Sequence, residues 1–63
     1  MGEKLLKYYQ WLEHEGGLAA KLQLAQKTKI PSVNAAMMPD DPATIAMLKA
    51  AAKEIAGKEP PAV

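Results

Sequence analysis

The side chains of this 63-residue chain best suited to proton transfer are its single histidine, His14, and the adjacent carboxylates Asp40 and Asp41. A general base needs a positioned nucleophile within hydrogen-bond reach. No Ser-His-acid order or spaced carboxylate pair accompanies either group. His14 falls in what reads as the last turn of a helix, where a cation interacts favourably with the helix dipole. Asp41 directly precedes Pro42, the pattern of an N-cap followed by proline at the first helical position. Metal chemistry has no better footing. Structural zinc takes four ligands, and here there is no cysteine and His14 is flanked only by Glu13 and Glu15. The chemistry-bearing residues therefore predict no enzyme, no metal and no cofactor.

Phosphate recognition is the second chemistry to weigh. Lys21, Lys27 and Lys29 make a short basic stretch, but eight lysines against seven carboxylates leave a formal charge of only +1. Arginine, which clamps phosphate and reads guanine in bidentate fashion, is absent. The segment Leu24-Ala25-Gln26-Lys27-Thr28-Lys29-Ile30-Pro31-Ser32-Val33 resembles the first half of a helix-turn-helix DNA-binding motif, with Leu-Ala in a helix, then an apolar residue and serine. The resemblance covers less than a third of the chain and implies nucleic-acid contacts from Lys27, Lys29, Ser32 and Asn34. It departs at Lys29, which takes the turn position usually given to glycine, and at Pro31 just beyond. The would-be reading helix spans only Val33 to Met38 before Pro39, whereas such a helix must reach along the major groove. A small nucleic-acid-binding regulator is thus the alternative reading, not the leading one.

Apolar contact is the third chemistry, and the most distinctive. All three aromatic residues, Tyr8, Tyr9 and Trp11, lie in one short run with Leu5, Leu6 and Leu12. At roughly 100° per residue they spread over roughly 220° of a helix, wider than the stripe a small core covers. Leu5, Tyr8, Tyr9 and Leu12 form the centre of that arc, with Trp11 and Leu6 at opposite margins. Because tryptophan and tyrosine dominate interface hot spots, Trp11 and Tyr8 with Leu6 are the expected contact residues. Met38 joins them as an adaptable side chain, while its neighbour Met37 is assigned to the core.

These residues need elements to position them. Glu3 to Glu15 reads as a helix closed by Gly16-Gly17, with Gly16 in the left-handed position past its end. A second helix runs from Leu18 to about Thr28, with Leu18, Leu22 and Ala25 on its inner face and Leu24 on its polar side. Pro31 ends it, Ser32 caps a short helical segment from Val33 to Met38, and Pro39 interrupts that. The third long helix starts after Asp41 and ends at Gly57, with Ile45, Leu48, Ala52 and Ile55 at helical spacing. Lys58 to Val63, with Pro60-Pro61, is expected to fray. The predicted fold is all-α: a small three-helix bundle with a short extra helical segment between the second and third helices. Residues 1–57 form one domain and 58–63 a flexible C-terminal tail. The expected core is Leu5, Tyr9, Leu12, Leu18, Leu22, Ile30, Val33, Ile45, Leu48 and Ile55.

A chain this short buries only about 60% of the surface its unfolded form exposes. Twelve of its apolar residues are alanines, so large core side chains are few. Without disulfides or metal, regular helix packing and oligomerisation remain as stabilising routes. No apolar run approaches the roughly 20 residues that span a bilayer, and the start of the chain carries no signal-peptide pattern, so a cytoplasmic location is expected and no membrane partner. The sequence favours a non-enzymatic protein-protein interaction or assembly module, a homodimer or a small subunit of a larger complex. It would bind itself or another protein through the helix-one aromatic face.

Overall fold

A computed structural model describes residues 1–62, all-α with no strand among them. Three helices follow in order: α1 (Glu3–Thr28), α2 (Ser32–Met37) and α3 (Pro42–Ala56).

Helix α1 contains both of the first two expected helices, joined rather than separated. Gly17 sits inside it at φ 76° and ψ −172°, far from helical geometry. That backbone region is open essentially to glycine alone. The glycine with positive φ is therefore Gly17, one position later than expected and extended in ψ instead of left-handed helical, and it bends α1 into limbs of residues 3–16 and 18–28. Across the bend Lys21 donates to Glu13 at 3.2 Å.

The bend resets the rotational phase of the second limb. Leu22 and Leu24 lie about 200° apart on a helix, so only one can face inward. Leu24 is fully buried with Ala20, one turn earlier, while Leu18 and Leu22 are 60% and 53% exposed. This reverses the expected inner face. The buried stripe runs through Ala20 and Leu24 because α3 offers Ala51 and Ala52, which are also buried.

The end of α1 is capped without glycine. Lys29 adopts the left-handed conformation at φ 59°, and its amide and that of Ile30 both donate to the Ala25 carbonyl. This is a Schellman-type ending, with Ile30 and Ala25 both packed against the core. The Tyr9 hydroxyl donates to the Ile30 carbonyl and fixes the turn to the first limb.

Helix α2 is short and begins after Pro31, with no side-chain cap, so Ser32 is its first residue and not its cap. Ala35 is its buried residue. Gly2, at φ 70°, packs so closely beneath it that a Cβ there would fall 2.0 Å from the Ala35 carbonyl oxygen. That contact turns Val33 and Met37 outward, at 68% and 75% exposed, against their expected places in the core. Met38 is the half-buried methionine of the pair.

Helix α3 starts where the sequence predicts: Asp41 accepts from the amides of Ala43 at 3.1 Å and Thr44 at 3.3 Å. Gly57 closes it in the left-handed conformation. Leu48 is buried, and Ile45, Ile55 and Ala56 flank the core. Both α2 and α3 pack on α1, and not on each other. The core thus runs along α1, formed by Leu5, Tyr8, Tyr9, Leu12 and Leu24 against Ala35, Leu48, Ala51 and Ala52. Residues 58–62, part of the stretch expected to be a flexible tail, carry no helix; Pro60 is buried and Lys58 pairs with Glu15 of α1.

Candidate interaction surface

The four residues expected to make contacts have different surroundings. Tyr8 is 2% exposed and belongs to the core, so it offers no face to a partner. The aromatic arc is wide because α1 is covered on more than one side: by α2, by α3 and by its own second limb. Leu6, Trp11 and Met38 are half-buried and packed against that core. Burial pushes the phenols of Tyr8 and Tyr9 above their ordinary pKa, and for Tyr9 a hydrogen bond with Thr28 works in the opposite direction.

Trp11 has a neighbour that sequence patterning does not reveal. With Lys7, Gln10, His14 and Glu15 it lines a concavity of about 550 Å³ whose other wall is Pro61 and Ala62. The Lys58 ammonium pairs with Glu15 and holds its carboxyl below the usual range. Lys53 and Glu59 pair at 2.7 Å.

The exposed apolar surface lies elsewhere. Leu18 and Leu22 are one turn apart on the second limb of α1, and Val33 and Met37 are one turn apart on α2. Each pair therefore shares a helix face. Leu18 and Leu22 line a groove of about 240 Å³ with Tyr9, Lys21, Ala25, Pro31 and Ser32. Val33 is the next residue in the chain after Ser32 of that groove. The available signal was the pair of competing stripes on the second limb, 18/22 and 20/24: whichever one the core rejects becomes apolar surface.

The residues of the nucleic-acid alternative do not converge on a basic face. Lys27 pairs with Glu54 of α3 at 3.1 Å and Lys21 with Glu13, so their charge is locally offset. Lys29 serves the helix ending, where glycine is usual in the motif. Ser32 and Asn34 are both on α2, whose six residues span about 9 Å and whose chain then turns extended at Met38. That is too short to follow a groove.

Residues capable of proton or metal chemistry are dispersed. The His14 side chain is 84% exposed, with Nδ1 3.9 Å from Glu15. Asp41 is occupied as a cap. Asp40 has one buried oxygen, Oδ1, without a hydrogen-bond partner. Among the described residues no group of three or more His, Asp or Glu side chains is placed to hold a metal ion. No helix is long and apolar enough to cross a membrane. Comparison of the chain with family models, with curated proteins and with solved structures gives no match.

Proposed function

We propose that this protein is a non-enzymatic interaction module that pairs with a second copy of itself through the face carrying Leu18, Leu22, Val33 and Met37. The observation that carries the reading is that these four large apolar side chains, in two one-turn pairs, are all more than half exposed. Scattered apolar side chains on a surface are ordinary, whereas paired ones beside a groove are the usual mark of a contact site. A stable interface covers about 800 Å² on each partner, about a fifth of this chain's 3906 Å² surface. Such a share would relieve the shortage of buried apolar area that a small chain faces. The formal charge of +1 opposes self-association very little. A two-fold arrangement lets one patch meet its own copy, with Lys21 and Ser32 at the rim. The expected contact face thereby moves from the helix-one aromatics to the stripe that the core leaves out.

Sedimentation equilibrium at tens of micromolar should give a mass above the 6.8 kDa of one chain. Leu22→Lys should return it to the single-chain mass with helical circular dichroism intact, since Leu22 is already half in water. A single-chain mass for the unaltered protein at every concentration would overturn the pairing.

A further inference from the structure

We infer that this chain opens at Gly16-Gly17 and exchanges limbs with a second copy, residues 18–62 of each packing on residues 1–16 of the other. This association reuses contacts inside the fold and not the Leu18 and Leu22 face. The bend is one residue long, since Gly17 alone departs from helical geometry within α1. Both glycines serve it, for different reasons. Gly17 supplies φ 76° with ψ −172°, a conformation that residues with a Cβ avoid. A Cβ on Gly16 would stand 2.8 Å from the Ala20 Cβ, too close for two carbons. On a straight helix the Cβ atoms of residues four apart are about 5–6 Å from each other, so that clash belongs to the bend alone. A straight α1 needs neither glycine, and glycine is a poor helix former.

The hinge divides the fold's contacts cleanly. The Tyr9 hydroxyl on the Ile30 carbonyl, Lys21 on Glu13, Lys58 on Glu15 and Gly2 beneath Ala35 all join residues 1–16 to residues 18–62. Lys27 and Glu54 pair within the second group, which keeps α3 with the second limb. Straightened, the 26 residues of α1 would reach about 39 Å, well beyond the 25 Å longest extent of the closed chain. Tyr9 and Ile30, 21 positions apart, would then be about 30 Å from each other at helical rise. Only another copy could bring them together. A lone open chain would expose Leu5, Tyr9, Leu12 and Leu24, whereas two open chains cover these side chains reciprocally. Because exchange remakes each contact between copies, it is a low-cost route to a dimer, and a short hinge favours it. The glycine pair is thus what keeps the isolated chain closed.

The test carries Leu22→Lys in every arm, so that pairing through the exposed face does not supply the second chain. Full-length chains with Gly16→Ala or Gly17→Ala in that background are refolded at millimolar concentration. Each should sediment with the mass of two chains, and the two-chain fraction should exceed that of the Leu22→Lys chain with both glycines by about tenfold or more, since two hinges per dimer are relieved. Zero-length carbodiimide coupling then shows where the limbs sit. In a mixture of isotope-labelled and unlabelled chains refolded together, the Glu13–Lys21 cross-link should join labelled to unlabelled chains in the glycine variants. It should stay within one chain when both glycines are present. Should either variant be unfolded when dilute, its far-ultraviolet helicity should return as concentration rises. A single-chain mass for both glycine variants at millimolar concentration, cross-links confined to single chains, or helicity that does not return would overturn the inference.

Discussion

At the scale of single residues, Tyr9 does two jobs. Its ring is among the largest fully buried groups, and its hydroxyl holds the Ile30 carbonyl where the chain leaves α1. Tyr9→Phe keeps the ring and removes the hydrogen bond. It should cost about 1–2 kcal/mol, because a part-buried carbonyl is left without its partner. Urea unfolding should show this as a lower midpoint at unchanged slope. An unchanged midpoint would mean that water replaces the hydroxyl. Tyr9 was legible as a core residue from its position at the centre of the α1 arc, as were Leu5 and Leu12. Tyr8 shares that central position, and its residue type, common at interfaces, placed it on the contact face although the core covers it.

At the scale of elements, the bend at Gly17 governs the arrangement. Its φ and ψ belong to a region that side chains with a Cβ avoid at a cost of about 1–3 kcal/mol. Gly17→Ala should destabilise the fold by about that amount, even though alanine is the better helix former and nothing lies within 4 Å of the added Cβ. Thermal unfolding checks the sign: stabilisation would mean that the straight helix packs as well as the bent one. The Gly16-Gly17 pair announced a stop in the sequence, and Asp41-Pro42 announced the start of α3. The inner face of the second limb was not announced. Ala20 and Leu24 compete there with Leu18 and Leu22, and on hydrophobicity alone the two-leucine stripe wins. In the folded chain Ala20 and Leu24 share the core with Ala51 and Ala52 of α3, and Leu18 and Leu22 are left outside to form the proposed pairing face.

At the scale of the whole molecule, the titrating groups set a window of stability. Neutral Tyr8 and Tyr9 have folded-state pKa values raised by burial above the ordinary 10.0. Their contribution is complete below that value and is lost as pH rises through the raised folded-state values. Lys53, raised by its hydrogen bond with Glu59, acts in the same direction at a fully exposed site. On the acid side, Glu3, Glu15 and Glu59 are lowered from 4.5 by their hydrogen-bonded cations, so their small contribution disappears as pH falls below that value. Helicity should therefore be level across neutral pH and fall above about pH 10, in step with phenolate absorbance near 295 nm. Phenolate appearing at the ordinary pKa with helicity retained would show that the two rings are not enclosed.

The sequence by itself determined the all-α class, the beginning and end of α3, the glycine stop within α1 and the central core residues Leu5, Tyr9, Leu12 and Leu48. Each follows from local rules, since capping, helical period and glycine conformation act within a few residues. Only the tertiary structure decided which stripe of the second limb is buried and that Val33 and Met37 point outward. It also brought Pro61 and Ala62 to the wall opposite Trp11, 50 or more positions earlier in the chain. Those outcomes depend on which surfaces meet after α1 bends. A helical period records that a face is apolar, but what covers that face is settled by how closely the neighbouring helices can approach.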